Sequence, residues 1–452
     1  MDNVLTWLRQ NRAAHLDWLR EFCRIPSIST KTERSADVVR AVEWTRDLCR
    51  RIGLSAEVHD TGGHPLVCAE WCQAPGRPTV LVYGHIDVQP EGDLSLWDAD
   101  PFDPVVKDDW LYCRGAADDK GQIIAHLRAV AAWLATEGKL PVNVRYLFEA
   151  EEEISSPHLL PWIEKHTDRL RCDLVLISDT GLVADGVPTI TYGTRGILYK
   201  EVRIFGPKHD VHSGCFGGSI ANPANVLANL VASLHDEQGR VMIPGFYGNV
   251  SDPTPDERQK IAAAPFDEAG YMAELNVPGV TGEEGFTTNE RRWIRPTLDV
   301  NGIYGGFMAE GANTIIPARA GAKISMRLVA GQDPAELSKR FDETIRVRVP
   351  GTVRHEIIHH GMAAAYRAPL NSPAMNAAEA ALKASFGRDV AFICEGGSLP
   401  ILPEFKRLLG ADSLLIGLAS PSCNAHGPNE KVSLADLDRG AEAIARLLAG
   451  LA

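Results

Sequence analysis

The sequence predicts an α/β protein in which a smaller α+β domain interrupts a larger domain built around a mostly parallel sheet. Strand and helix patterns alternate up to about residue 180, as expected for a parallel sheet covered by helices. Extended patterns dominate around residues 189–206, and the alternation resumes after Asn376. We therefore expect residues 1–194 and 366–452 to form the larger domain and residues 195–365 to form the insertion.

In the larger domain, helix predictions rest on apolar residues that recur at helical spacing. The segment from Val4 to Cys23 is interpreted as one amphipathic helix, and TVLVYG at 79–84 has the all-apolar character of a central buried strand. The other elements expected before residue 180 are helices at 36–52, 120–137 and 157–166, and strands at 56–58, 65–71, 110–112, 142–148 and 172–177.

The insertion begins with TITYGTRGILYKEVRIFG, which has the pattern of extended strands. A helix at 221–235 follows, with Asn222 as its N-cap before Pro223. Residues 244–296 are rich in Pro, Gly, Asp and Glu and are expected to be irregular surface. The remaining elements are strands at 320–328, 352–359, 391–393 and 413–416, and helices at 334–347, 376–386 and 434–448.

Composition excludes several classes of partner. The 452 residues carry 46 Lys and Arg against 59 Asp and Glu, a net charge of −13, which disfavours nucleic acid. No run of eighteen apolar residues suggests a membrane span, and the N-terminus lacks the apolar core of a signal peptide. The nine cysteines include no CxxC pair and are interpreted as reduced thiols, so we expect a cytoplasmic protein.

Histidines and acids follow the predicted strands. In open α/β sheets, ligands bind beyond the carboxyl ends of the strands, so these side chains are candidates for one site. They are His85 and Asp87 after strand 79–84, Asp118 and Asp119 after 110–112, Glu151–Glu153 after 142–148, Asp179 after 172–177, and His426 after 413–416.

Clustered carboxylates repel one another in a cleft of low dielectric, and divalent cations remove that repulsion. Two histidines and at least three acids suit a pair of Zn²⁺ or Mn²⁺ ions with one carboxylate between them. Such a pair can activate water and polarise a carbonyl, and a spare carboxylate can move the proton. The pattern therefore indicates metal-dependent hydrolysis of an amide.

Each element alone also has an ordinary structural interpretation. The alternatives are a surface or core pair for His85 and Asp87, a helix cap for Asp118 and Asp119, a solvated face for Glu149–Glu153, and a turn for Asp179. The joint occurrence of all five elements, each after an apolar strand, favours the metal site.

The motifs resemble those of the M20 metallopeptidases, most closely the dipeptidase branch that includes cytosolic non-specific dipeptidases and carnosinases. The resemblance rests on GHIDVQP (84–90), WDADPF (97–102), LYCRGAADDKGQ (111–122), FEAEEEISS (148–156), SDT (178–180), VHSGCFGG (211–218), NTIIPARAGAKISMRL (313–328), EGGSLPI (395–401) and NAHGPNEK (424–431). It implies a mixed-sheet catalytic domain of zinc-peptidase type, with the insertion as a lid and dimerisation domain of a homodimer.

The resemblance also implies the metal ligands. His85 binds one ion and His426 the other, Asp118 bridges both, and Glu153 and Asp179 complete the two sets. The bond between Asp118 and Asp119 is commonly cis in this family. Zn²⁺ is the expected metal, with Mn²⁺ as the alternative.

Catalytic roles follow from the same resemblance. Glu152 is the general base that takes a proton from water and passes it to the leaving amine, and Asp87 orients His85. Because three acids are consecutive, a second assignment stays open, in which Glu151 is the base and Glu152 the ligand.

The insertion supplies the expected substrate residues. His212 stabilises the tetrahedral oxyanion across a dimer interface, and Arg327 binds the C-terminal carboxylate of the substrate. Thr314 and the Gly397–Ser398 turn assist, and His360 receives no role. The favoured hypothesis is a dinuclear dipeptidase acting on small peptides. The alternatives are an N-acyl amino acid amidohydrolase and, from a different class, a non-catalytic metal-binding or scaffold protein.

Overall fold

The computed structural model describes residues 1–397 and 399–452. The chain divides into two compact units. The first unit comprises Met1–Tyr192, Ala368–Ile393 and Glu404–Ala452, and the second comprises Gly193–Arg367 and Cys394–Pro403. The segment Cys394–Pro403, which the sequence prediction assigned to the larger domain, is part of the second unit.

The helices of the described residues are α1 (Asp2–Gln10), α2 (Arg12–Cys23), α3 (Ser35–Arg51), α4 (Lys120–Glu137), α5 (Leu159–Lys165), α6 (Ser213–Phe216), α7 (Pro223–Ala232), α8 (Pro255–Ala263), α9 (Glu268–Glu274), α10 (Thr288–Trp293), α11 (Pro334–Arg348), α12 (Pro373–Phe386), α13 (Ile401–Leu409) and α14 (Leu434–Gly450). Among these residues, no helix combines the length and the apolar character that crossing a bilayer requires.

The strands are β1 (Ser55–His59), β2 (Leu66–Trp71), β3 (Thr79–His85), β4 (Val105–Lys107), β5 (Trp110–Tyr112), β6 (Asn143–Glu149), β7 (Leu174–Ile177), β8 (Thr189–Thr194), β9 (Gly196–Phe205), β10 (Val211–His212), β11 (Thr297–Gly305), β12 (Ile315–Ile316), β13 (Arg319–Leu328), β14 (Arg354–Ala363), β15 (Tyr366–Arg367), β16 (Ala391–Glu395), β17 (Asp412–Gly417) and β18 (Lys431–Ser433).

The first unit contains a mixed sheet with the order β1-β2-β6-β3-β7-β17-β8. The four central strands β6, β3, β7 and β17 are mutually parallel, whereas β1, β2 and β8 pair antiparallel at the flanks. Every residue of β7 and all but the first of β3 are buried, as their continuous apolar sequences require. The parallel centre places the carboxyl ends of four neighbouring strands at one edge.

The second unit contains an antiparallel sheet with the order β11-β13-β9-β14. Helices α7 and α11 cover one face. The core of this unit includes Val202 and Ile204 of β9, Ile324 and Met326 of β13, and Phe341 of α11. Residues that alternate with the core residues on β9 and β13 lie on the opposite face, among them Arg327.

Two predictions of secondary structure were wrong, and several elements were not predicted. The N-terminal helix is two helices, α1 and α2, with a break at Asn11, whose side chain donates to the Trp7 carbonyl at 2.9 Å. Residues 244–296 contain α8, α9 and α10, and the side chains of Thr254 and Thr287 cap α8 and α10, which the Pro- and Gly-rich composition did not indicate. Strand β11 and helix α13 were not predicted.

Candidate metal centre

Sheet topology brings four of the predicted ligands to one edge. His85 is the last residue of β3, Glu153 follows β6, Asp179 lies two residues beyond β7, and His426 follows β17. These four strands are neighbours and parallel, so their carboxyl ends meet.

The fifth predicted ligand, Asp118, lies between two groups of donor atoms. Its Oδ1 is 2.9 Å from Nε2 of His85, which is also 3.8 Å from Oδ1 of Asp179. Its Oδ2 is 2.9 Å from Nε2 of His426, which is 3.5 Å from Oε2 of Glu153. Within each group of three, the donor atoms lie within 4.8 Å of one another. One carboxylate is thus shared between two sets that each contain one imidazole.

Asp118 reaches this position from the loop before α4, and not from the end of a strand of the main sheet as predicted. The preceding strand β5 belongs to a separate sheet with β4 and β18. The peptide bond between Asp118 and Asp119 is cis, as the resemblance implied. Asp119 makes no helix-capping hydrogen bond, and its Oδ2 accepts from the backbone N–H of His85 at 3.2 Å. The capping alternative is therefore wrong.

The contacts of His85 fix which nitrogen faces the other ligands. Its Nδ1 donates to the backbone carbonyl of Asp87 at 3.0 Å, which leaves Nε2 directed at Asp118 and Asp179. The Asp87 carboxylate accepts from the backbone N–H groups of Glu152 and Glu153 at 3.2 and 3.1 Å. Asp87 thus orients His85 through its carbonyl, and its side chain holds the turn that carries the two glutamates.

The run of acids after β6 is buried or half-buried, so the solvated-face alternative is wrong. Glu151 accepts hydrogen bonds from His64 N–H at 2.9 Å and from His158 Nδ1 at 2.9 Å. Its carboxylate is therefore engaged away from the donor sets. Within the described part of the chain, the Glu152 carboxylate has no hydrogen-bond or ion-pair partner. This arrangement favours the assignment with Glu153 as ligand and Glu152 as the spare acid.

The electrostatics of the cluster are compatible with bound cations. Burial raises the pKa of Glu152 to about 7 and that of Glu153 to about 7, with further contributions from neighbouring acids. Oε1 of Glu153 and Oδ1 of Asp119 are buried and have no hydrogen-bond partner in the described structure. Imidazole nitrogens and carboxylate oxygens in two three-residue sets fit a pair of divalent ions of the Zn²⁺ or Mn²⁺ type.

The predicted substrate residues lie in the second unit, in two separate groups. His212 ends β10, which pairs with β12, and the backbone N–H of Ser213 donates to the Thr314 carbonyl at 2.9 Å. The side chains of His212 and Thr314 are both exposed. Arg327 is near the C-terminal end of β13. The carbonyl of Gly397 accepts a hydrogen bond from the backbone N–H of Arg195 at 3.1 Å.

Two other residues were named in the sequence analysis, Ser398 and His360. Ser398 lies outside the described residues. His360, which received no role, is 3.1 Å through Nε2 from the Glu201 carboxylate on the open face of the second sheet.

Sequence reasoning missed three residues that contact the ligands or their loops. Gln89 donates from Nε2 to Oε2 of Glu153 at 2.6 Å. Glu430 accepts from the backbone N–H of Asp118 at 3.1 Å, and Arg114 forms an ion pair with Glu430 at 2.7 Å. All three residues lie within motifs quoted above. They could have been found from the sequence as polar residues that stand in a ligand-bearing motif and had received no role.

The chain is similar in sequence to proteins named as dipeptidases. The yeast Saccharomyces cerevisiae protein named Cys-Gly metallodipeptidase DUG1 is 33% identical over 401 residues, which cover 85% of this chain and 81% of that protein. The human Beta-Ala-His dipeptidase is 29% identical over 452 residues, covering 96% and 89% of the two chains.

Solved structures show the same fold. The M20 family metallo-carboxypeptidase Sso-CP2 from Sulfolobus solfataricus has 32% identity and a TM-score of 0.82, with 97% of this chain and 99% of that chain covered. Human carnosine dipeptidase 1 has 29% identity and a TM-score of 0.74, with 100% and 98% covered. Residues 81–450 match the description of peptidase family M20/M25/M40. The chain therefore belongs to that family and is a metallopeptidase.

Proposed function

We propose that this metallopeptidase hydrolyses the amide bond of dipeptides and short peptides with a free C-terminal carboxylate. The observation that carries the proposal is the position of Asp118, whose two oxygens each face one imidazole at 2.9 Å. Relatives at about 30% identity over most of their length carry dipeptidase names, which supports this substrate class.

The proposed site residues have two roles: some would bind the metal ions, and others would transfer protons. His85, Asp118 and Asp179 would hold one ion, and Asp118, Glu153 and His426 the other. We propose Zn²⁺ as the metal, with Mn²⁺ accepted by the same donors. When bound, the two ions would activate water and polarise the scissile carbonyl.

Glu152 is the proposed general base and acid. Its side chain has no partner in the described structure, and the Asp87 carboxylate fixes its backbone. Its burial and its acidic neighbours hold its pKa near neutrality. A carboxylate so placed takes a proton from water and delivers it to the leaving amine.

Arg327 is the proposed anchor for the substrate carboxylate. Within the described residues it has no ion-pair or hydrogen-bond partner, and it lies close enough to Arg195 for their like charges to interact. Burial, with Arg327 and Arg292 nearby, lowers the pKa of Arg195 to about 10. In the described part of the chain, Asp299 is the one acid that acts on Arg195 against these two cations, and such a group of arginines favours binding of an anion. Gly397 would complete this anchor, and we propose the same role for Ser398 from the sequence motif alone.

The second unit also supports a homodimer. Thr314 precedes β12 and the start of β13, whereas Arg327 is near the C-terminal end of β13, and the eight residue steps from Arg319 to Arg327 span ~27 Å of extended strand. A dipeptide extends only ~7 Å. If His212 and Thr314 serve the same substrate as Arg327, they must come from a second copy of the chain. We propose that the partner's histidine stabilises the oxyanion.

The edge strand β11 offers an apolar surface for such an assembly. Ile303 on this strand is 64% exposed, and Met308 just beyond it is 74% exposed. Exposed apolar side chains beside an unpaired strand edge are typical of an association surface.

A cytoplasmic location is the last part of the proposal. All nine cysteines are free thiols, including Cys72 and Cys215 at the surface. Exposed free thiols persist in a reducing compartment.

A panel of substrates tests the proposed function. We expect metal-loaded protein to hydrolyse dipeptides at a kcat/KM at least ~10²-fold above that for N-acetylated amino acids, since a specific substrate contact is worth that much discrimination. The measurement is release of free amino acid, with C-terminally amidated dipeptides as matched controls. Preference for acetylated amino acids would instead establish the amidohydrolase alternative.

Mixed dimers test the shared site. We expect His212→Ala and Arg327→Ala each to lower kcat/KM strongly. If each site combines Arg327 of one chain with the histidine of its partner, the heterodimer of the two variants has one intact site of two and restores about half of the wild-type activity. The assay uses co-purified, differently tagged chains. Activity no higher than that of the separate variants would show that both residues act within one chain, or that they share no site.

A further inference from the structure

Glu430 is a buried acid with all its partners in the loop that carries Asp118. The side chain has no solvent exposure. Its Oε2 accepts from Nη1 of Arg114 at 2.7 Å and from the backbone N–H of Gly115 at 3.0 Å. Its Oε1 accepts from the backbone N–H groups of Ala117 and Asp118 at 2.9 and 3.1 Å. One carboxylate therefore holds the whole turn that ends in the shared ligand.

Arg114, the ion-pair partner of Glu430, contacts two more segments that carry proposed ligands. Arg114 is 1% exposed, and its Nη2 donates to the carbonyl of His426 at 3.2 Å. The same nitrogen donates to the carbonyl of Pro90, in the loop that follows His85, at 3.1 Å. The ion pair thus connects the segments that present His85, Asp118 and His426.

Stability alone does not account for such a pair. Taking two charges out of water costs several kcal/mol each, and well-packed apolar residues often replace a buried ion pair without loss of stability. Apolar residues cannot, however, satisfy three backbone N–H groups and two carbonyls in a fixed arrangement. The ion pair therefore does more than fill space: it fixes the positions of the backbone segments relative to one another.

We propose that Glu430 and Arg114 are positioning residues that set the separation of Asp118 and His426, and so determine the metal affinity and geometry of that site. The inference rests on the proposed function, because it takes Asp118, Glu153 and His426 as a metal site. Glu430 itself donates no atom to either donor set. It acts through the backbone of the Asp118 loop, and Arg114 acts through the backbone of His426.

Glu430→Gln tests this proposal, since it keeps the shape of the side chain and removes the charge and one acceptor oxygen. We expect Zn²⁺ affinity to fall ~10–100-fold, the range typical for partners that orient metal ligands, and to fall most at the site that contains both Asp118 and His426, with kcat falling and KM little changed. Affinity is measured by calorimetric titration of Zn²⁺ into metal-free protein. The absorption spectrum of the Co²⁺-substituted variant should change for one site, which reports ligand geometry independently of activity.

The matched control is Glu283→Gln. Glu283 forms a comparably buried ion pair with Arg295 at 2.7 Å in the second unit, where none of the proposed ligands lie. We expect this variant to lose thermal stability while its Zn²⁺ affinity and Co²⁺ spectrum match the wild type. If Glu430→Gln behaves like Glu283→Gln, the positioning role is overturned and the proposed function stands.

A second variant decides the question if Glu430→Gln does not fold. Arg114→Lys keeps the charge opposite Glu430 but cannot reach both the Pro90 and His426 carbonyls. We expect it to weaken one Zn²⁺ site about 10-fold. Unchanged affinity at both sites would overturn the proposal. Absence of any metal-dependent hydrolysis in the wild type would count against the proposed function instead.

Discussion

Replacing Glu152 by glutamine is expected to lower kcat on the order of 10³-fold, the usual contribution of a general base, while the metal content of the protein stays the same. Glutamine has nearly the same volume and cannot accept a proton. The Glu152 carboxylate belongs to neither donor set, so the substitution leaves all five proposed ligands in place. The measurements are steady-state kinetics on a dipeptide and elemental analysis of the purified variant.

Glu151→Gln is the matched control for this prediction. Glu151 is the adjacent acid, but its carboxylate accepts from His64 and His158 and lies in neither donor set. We expect its kcat to stay within about 10-fold of the wild type, since it loses at most one hydrogen bond of that size. The opposite ranking of the two variants would transfer the role of base to Glu151 and the ligand role to Glu152.

The sequence predicted the elements that surround the centre because their patterns are local. Helix α4 has the predicted bounds Lys120–Glu137, and β3 begins at Thr79 as predicted. A continuous apolar run or a helical period depends only on neighbouring residues. The same reasoning treated residues 244–296 as irregular, because the three helices there are short, and two of them are marked by single capping residues rather than by a period.

The candidate site was predictable as a set of residues but not as an arrangement. Parallel strand ends explain why His85, Glu153, Asp179 and His426 converge, and the alternation of strands and helices predicted this without giving the order of the strands. The position of Asp118 could not be predicted in this way, because strand β5, which precedes it, belongs to another sheet. Contacts such as that of Glu430 with the Asp118 loop join residues 312 positions apart, and no local pattern reports them.

Removal of the metal ions is expected to abolish turnover, because the ions would activate the water, polarise the carbonyl and neutralise the clustered carboxylates. Dialysis against a chelator should remove two ions per chain. Activity should return on addition of Zn²⁺ or Mn²⁺. Because the ions bind the folded state, their removal should also lower the melting temperature. Full activity in protein shown to be free of metal would contradict the mechanism.

Because Asp118 belongs to both donor sets, the effect of single substitutions on metal binding can be predicted for each site. Asp118 contributes one oxygen to each donor set, whereas Asp179 belongs only to the set with His85 and Glu153 only to the set with His426. Asp179→Asn and Glu153→Gln should therefore each weaken one of two binding events in a calorimetric titration with Zn²⁺. Asp118→Asn should weaken both. Two independent sites without a common ligand would instead give Asp118→Asn a single affected event. The number of weakened events in these three variants thus reports directly whether one carboxylate joins the two ions.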